Sequence, residues 1–151
     1  MIRDDIKAAL VSAMKSGDKQ RTATLRLVQS GLKNRDIELR TSDKAPEDDA
    51  LVTEVLQKMV KQRRESIALY DQGGRAELAD AERAEVAVIE DFLPQQMGEE
   101  DTAKAIDAIA VEIGADSPKD MGKVMALLKE RHGTQLDMSK ASSLVKARLS
   151  A

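Results

Sequence analysis

Cysteine is absent from this chain, and histidine occurs only once, at His132. The absence of cysteine excludes disulfides, thiolate metal sites and cysteine nucleophiles. One histidine leaves little material for a metal site or a histidine-based proton relay. Aromatic residues are nearly as scarce, since Tyr70 and Phe92 are the only two. The composition therefore predicts no metal and no cofactor, and it disfavours modules that stack bases on aromatic side chains.

Sequence motifs of common catalytic sites are also missing. The chain contains no GxxxxGK[ST] or GxGxxG segment that would hold phosphates, no GxSxG elbow and no HExxH pair. A serine nucleophile would need a base within hydrogen-bonding distance, and His132 is better explained as a residue that caps or packs the end of a helix. We therefore predict no catalytic residue.

The N-terminal segment gives the first indication of location. Its ten residues, MIRDDIKAAL, contain acids and no continuous apolar region. This pattern is typical neither of a signal peptide nor of a membrane span. The sequence therefore predicts a cytoplasmic protein with no membrane partner.

Apolar residues recur at a spacing near 3.6 in nearly every segment, and no convincing alternating run is present. This periodicity predicts an all-α fold with seven main helices. The polar segment RTSDKAPEDD (40–49) is predicted to be a loop. The fourth helix is predicted to run from about 75 to 93, because Pro94 disfavours a helical residue before it.

A domain boundary is predicted at LPQQMGEED (93–101), where Pro94 and Gly98 interrupt the helical pattern. The chain then divides into a helical N-terminal domain of about four helices, residues 1–94, and a small three-helix C-terminal domain, residues 95–151. A chain of 151 residues is long enough for this arrangement.

The net charge is −3, which argues against generic attraction to nucleic acid or anionic membranes. The charge is, however, unevenly spread along the chain. Residues 117–151 contain seven bases and three acids, a net charge of +4, which leaves −7 for residues 1–116. The C-terminal segment can therefore form a local basic face.

A second basic segment, KMVKQRRESIALYDQGGR (58–75), contains one inward base when 100° is assigned to each helical residue. Arg63 falls in the middle of the apolar stripe, and an unpaired buried charge there is strongly unfavourable. Two acids, Glu82 and Glu85, lie on the apolar face of the next helix. We predict a structural ion pair between Arg63 and one of them; the alternative is an arginine that lines a ligand cleft.

Four C-terminal lysines are the candidate contacts to RNA. On the helical wheel, Lys119 and Lys123 lie opposite the core stripe of the sixth helix. Lys140 faces outward on the seventh helix, and Lys146 lies at the edge of its stripe. Gly122, in the first turns of the sixth helix, indicates a close approach there, either by another backbone or by a phosphate.

Two long blocks carry a resemblance to a known family. LQKMVKQRRESIALYDQGGRAELADAERAEVAVIEDFLPQQM (56–97), followed by SPKDMGKVMALLKERHG (117–133), resembles the YqeY proteins of the GatB/YqeY family, and the resemblance extends over essentially the whole chain. It implies a helical N-terminal domain followed by a three-helix domain. Family members often carry Gly-Arg or Gly-Lys before the last helix, whereas this chain has Gly133 followed by Thr134, so one expected base is missing.

The resemblance also implies a functional context. The same module forms the tail of the B subunit of tRNA-dependent amidotransferases, where it is expected to contact tRNA while other domains perform the chemistry. A carbon–nitrogen ligase label, with glutamine as amido donor, would then be inherited from the larger enzyme.

Three functions remain open on these grounds. The first is a non-catalytic accessory module that binds tRNA by its backbone and shape. The second is a helical protein–protein adaptor that acts with an aminoacyl-tRNA synthetase or an amidotransferase subunit. The third is an enzyme in its own right, which would act without a recognisable catalytic constellation.

Overall fold

The computed structural model describes residues 1–43 and 46–150, and these residues form helices joined by short turns, with no strand. These residues contain seven α-helices: α1 (Ile2–Ser16), α2 (Lys19–Glu38), α3 (Asp48–Gln72), α4 (Ala76–Glu90), α5 (Glu99–Ile113), α6 (Met121–His132) and α7 (Met138–Ser150). The all-α prediction is confirmed. Two residues of the predicted loop at 40–49, Lys44 and Ala45, lie outside the described residues.

The chain forms two compact units, Met1–Leu93 and Pro94–Ala151, each with its own apolar core. In the N-terminal unit, the largest fully buried side chains are those of Ile6, Leu25, Val28, Val52, Leu56 and Ile89. In the C-terminal unit they are those of Ile106, Ile109, Val124, Leu128, Leu136 and Val145. Full burial of such an aliphatic side chain stabilises the fold by roughly 1.5–3 kcal/mol. Both units are therefore held mainly by aliphatic packing.

The fourth helix is shorter than predicted, because α4 ends at Glu90. The backbone N–H of Phe92 donates to the carbonyl of Ile89, and that of Leu93 donates to the carbonyl of Glu90, at 3.1 and 3.2 Å. These bonds reach back three residues and form a tight turn rather than a further α-helical turn. Pro94 disfavours the helical conformation at the residue before it, so the turn completes the unit.

Arg3 joins three helices of the N-terminal unit. Its guanidinium donates two hydrogen bonds to Asp36 on α2, at 3.0 and 3.1 Å, and further bonds to Asp48 on α3, the shortest at 2.9 Å. These contacts raise the pKa of Arg3, with Asp48 contributing more than Asp36. The backbone N–H of Ile2 donates to Asp49 at 3.0 Å. The start of α1 is therefore fixed to both neighbouring helices.

Arg63 lies between α3 and α4, and its side chain is 15% exposed. Its Nε donates to Glu85 Oε2 at 2.7 Å, and Nη1 donates to the carbonyl of Met59 at 3.4 Å. Glu82 does not share in this pair: its Oε2 is buried and has no hydrogen-bond partner among the described residues. The arrangement places one arginine and two carboxylates in a half-enclosed position between the helices.

We expect Arg63→Ala to lower the free energy of unfolding by about 2 kcal/mol, between the values for buried and surface ion pairs, because it leaves the partly buried carboxylate of Glu85 without its partner. The matched control is Arg64→Ala. Arg64 contacts Glu90 at 2.5 Å, but both side chains are about half exposed, so its loss should change stability by roughly 0–1 kcal/mol. Urea denaturation of both variants checks this, and equal effects would contradict the structural role of Arg63.

The segment between the units is predicted to be the first site of proteolysis. Met97 N–H donates to the carbonyl of Gln135 at 2.8 Å, and the Gln96 side chain donates to the carbonyl of Thr134 at 2.9 Å. The segment is therefore fixed to the C-terminal unit from Gln96 onward. We expect a non-specific protease to cut first between Leu93 and Gln95 and to release two helical fragments, as mass spectrometry and circular dichroism would show. A first cut within residues 50–90 would contradict this division.

Candidate nucleic-acid interface

Three connected elements of the C-terminal unit carry the four predicted lysines. Lys119 lies in a 3₁₀ turn, Pro118–Asp120, and Lys123 lies in the first turn of α6. Lys140 and Lys146 lie on α7, which packs against both α6 and the 3₁₀ turn. All four lysines are exposed.

The start of α7 is fixed by a carboxylate cap. Asp137 accepts hydrogen bonds from the backbone N–H groups of Ser139 and Lys140, at 3.0 and 3.3 Å. Ala141, Val145 and Leu149 form the buried stripe of this helix. At 100° per residue, Lys140 lies about 140° from the centre of the stripe and Lys146 about 100° from it on the other side. The two lysines therefore flank the solvent face of α7.

The arginines of this unit are already paired with acids. Arg131 donates to both carboxylate oxygens of Glu112, at 2.6 and 2.9 Å, and Arg148 donates to Asp107 at 2.6 Å. Both acids lie on α5. The Arg131 guanidinium lowers the pKa of Glu112, chiefly through its hydrogen bonds. The positive charges of both arginines are therefore paired with carboxylates of the same unit.

Most lysines of the unit, in contrast to its arginines, form no ion pair among the described residues. Lys104 lies 3.4 Å from Glu100 on α5. Within the part of the chain that the structure describes, five other lysines of the unit make no ion pair with a carboxylate: Lys119, Lys123, Lys129, Lys140 and Lys146. The sequence did not single out Lys129, because a helical wheel does not show which bases form ion pairs with acids on other helices. The sequence pattern does not show that Arg131 and Arg148 are paired, because their acidic partners lie 19 and 41 residues away along the chain.

Charge is separated within the C-terminal unit rather than between the units. Residues 94–151 contain eight bases and nine acids, a net charge of −1, and residues 1–93 carry −2. Much of the −7 assigned to residues 1–116 therefore belongs to residues 94–116, which contain one base and six acids. The unit combines an acidic α5 with basic α6 and α7.

The surroundings of Gly122 are more open than predicted. A Cβ atom built at this residue would have nothing within 4 Å. No other backbone approaches it among the described residues, so the predicted approach of another backbone is wrong, and the approach of a phosphate stays a prediction. The open space lies beside Lys123 in sequence, on an exposed turn of α6.

A metal site would require several ligating side chains close together. Within 1–43 and 46–150, no cluster of three or more His, Asp or Glu side chains is placed to hold a metal ion. His132, at the end of α6, is half-buried. None of the described helices is both long enough and apolar enough to cross a membrane.

Comparison with known proteins gives three relatives with the same name, "Altered inheritance of mitochondria protein 41, mitochondrial". The Kluyveromyces lactis protein is 32% identical over 114 residues, which cover 74% of this chain and 57% of the relative. The Eremothecium gossypii protein is 34% identical over 111 residues, 72% of this chain and 58% of the relative. The Lachancea thermotolerans protein is 30% identical over 91 residues, which cover 60% of this chain and 47% of the relative. The chain thus spans about half the length of the curated relatives it matches.

These names overturn the predicted cytoplasmic location, because they point to mitochondria. The prediction was wrong for a physical reason. The lack of an apolar stretch in the first ten residues argues against a secretory signal, but it does not distinguish one aqueous compartment from another.

The family itself is shown by a match along almost the whole chain. The family model described as "Yqey-like protein" matches residues 3–149, which include all seven helices apart from their outermost residues. The resemblance to YqeY proteins is therefore confirmed, and the chain belongs to the family of Yqey-like proteins.

Proposed function

We propose that this chain is a non-catalytic accessory module that binds tRNA by its phosphate backbone and shape. Lys119, Lys123, Lys140 and Lys146 are the proposed phosphate contacts. One observation carries the proposal: these lysines are exposed and unpaired within the described residues, while both arginines of the same unit are paired with acids. An RNA backbone is the ligand that such a set of separate positive charges suits best.

The residue types favour backbone contacts over the reading of bases. Arginine is the side chain whose planar fork binds a base edge with two hydrogen bonds, and Arg131 and Arg148 are already bonded to Glu112 and Asp107. Lysine acts as a compact point charge toward phosphate. The C-terminal unit also contains no Phe, Tyr or Trp on which a base could stack. Recognition would therefore be weakly dependent on sequence.

The family resemblance supplies the context of the proposal. We infer that the module acts beside an aminoacyl-tRNA synthetase or an amidotransferase subunit, and that the carbon–nitrogen ligase chemistry belongs to that larger enzyme.

A protein–protein adaptor is the second candidate, and an exposed apolar residue favours it. Val111 on α5 is 72% exposed, and Ile113 nearby is 37% exposed. Apolar side chains on an otherwise charged helix can contribute to a protein interface. This adaptor would contact its partner through α5, on the acidic side of the unit.

Salt dependence tests the RNA function directly. We expect the affinity of the full chain for tRNA to fall with salt, with a slope of log affinity against log salt of about −3 to −4 for four phosphate contacts. Lys119→Gln or Lys140→Gln should flatten the slope by about one unit without changing the preference among tRNAs. Fluorescence anisotropy at several salt concentrations measures both quantities.

Lys104→Gln is the matched control, since Lys104 is an exposed lysine of the same unit that already contacts Glu100. Its slope should equal that of the unchanged protein. If the full chain shows no salt-dependent affinity for tRNA and a protein partner is bound through Val111, the adaptor function replaces the RNA function. If Lys104→Gln flattens the slope as much as Lys119→Gln, the proposed contacts are wrong.

A further inference from the structure

A small cleft lies between α1 and α2 of the N-terminal unit. Its volume is about 140 Å³, and its polar lining consists of Arg3, Lys7, Gln29, Lys33 and Asp36. The buried side chains of Ile6 and Leu32 form the apolar floor. A cavity of similar volume, about 150 Å³, can hold a molecule the size of benzene. The cleft is therefore large enough for one small group.

The register of α1 against α2 determines which charged side chains line this cleft. A short turn at Gly17 and Asp18 joins α1 to α2, so the helices run antiparallel. Arg3 is bonded across the cleft to Asp36. One turn further along, the cleft is lined by Lys7 from α1 and by Lys33 from α2. An opposite-charge pair is thus followed by a like-charge pair.

Neither of these lysines is neutralised within the described residues. Lys7 and Lys33 are both exposed, and neither lies within ion-pair distance of a carboxylate there. Asp36 lines the same cleft, but both of its oxygens accept bonds from Arg3. Asp48, the second acid at Arg3, is bonded to the same guanidinium. Two lysines without a carboxylate partner among the described residues therefore line one small cleft.

We propose that the α1–α2 cleft binds a phosphate dianion between Lys7 and Lys33, with the Gln29 amide as an additional hydrogen-bond donor. A phosphate monoester carries a charge of about −1.5 to −2 at pH 7 and has three strong acceptor oxygens, so it neutralises both ammonium groups. A carboxylate or a phosphodiester carries a single negative charge and neutralises only one. The shared chemistry is that of inorganic phosphate and of a terminal phosphate, including the 5′-phosphate of an RNA.

This site is independent of the proposed RNA surface, because Lys7 and Lys33 belong to the N-terminal unit and the four proposed RNA contacts belong to the C-terminal unit. Lys119→Gln should therefore leave phosphate binding in the cleft unchanged. Failure of one proposal does not imply failure of the other.

The test is a titration of the full chain with inorganic phosphate, at constant ionic strength and pH 8, followed by amide chemical shifts. We expect saturable shifts at the residues around Lys7 and Lys33. Lys7→Gln or Lys33→Gln should each weaken binding by about tenfold, since each removes one charged contact. The control is Lys15→Gln on α1, an exposed lysine outside this cleft, which should bind phosphate as the unchanged protein does.

Thermal unfolding provides a second readout that does not depend on the shifts. Without phosphate, Lys7→Gln should not lower the Tm, because Lys7 is exposed and makes no ion pair among the described residues. Added phosphate should raise the Tm of the unchanged protein and not that of a variant that carries both Lys7→Gln and Lys33→Gln, because a ligand that binds the folded state stabilises it.

Two RNA oligonucleotides, identical except for a 5′-phosphate, distinguish the sources of the ligand. Stronger shifts at the cleft with the phosphorylated oligonucleotide assign the site to an RNA end; shifts with inorganic phosphate alone assign it to a free phosphate or a small phosphate ester. The proposal is overturned if inorganic phosphate gives no saturable shifts at α1 and α2. It is also overturned if Lys15→Gln weakens binding as much as Lys7→Gln does.

Discussion

The contact of Arg3 with Asp36 and Asp48 determines how the first three helices of the chain meet. Aliphatic packing supplies most of the stability, but aliphatic stripes alone allow neighbouring helices to slide, because similar side chains recur every turn. A guanidinium that bonds two carboxylates on two different helices favours one register of these helices. The same register brings Lys7 and Lys33 to one cleft, so the charge pattern of that cleft follows from the Arg3 contact.

The ion pairs described above that join separate helices are made by arginine in both units. Arginine joins separate helices at Arg3, at Arg63 and, in the C-terminal unit, at Arg131 and Arg148. Lysines at the proposed RNA contacts are left unpaired within the described residues. Arginine suits the first task because its rigid fork loses less freedom for each bond that it forms. Lysine suits the second because its flexible stem lets the charge follow a phosphate.

Periodicity predicted the fold class well, because each helix has an apolar stripe that is visible in the sequence alone. The end of α4 was placed three residues too late, since the apolar pattern continues into the turn at Phe92 and Leu93. The helical wheel places Arg63 on the buried face of α3. Which of Glu82 and Glu85 pairs with it depends on how α3 and α4 are offset along their length, and the sequence does not show this. The pairing of arginines with α5 could not be predicted either, because it is a tertiary contact that local spacing does not encode.

The separation of arginine from lysine has a chemical consequence. Acetylation converts a lysine ammonium into a neutral amide, whereas arginine has no corresponding neutral form at physiological pH. The contacts that join the helices would thus be untouched by an acetyl donor, while the exposed lysines of α6 and α7 would lose their charge one by one. In this molecule, the surface charge can be changed by covalent modification without altering the ion pairs that hold the helices in register.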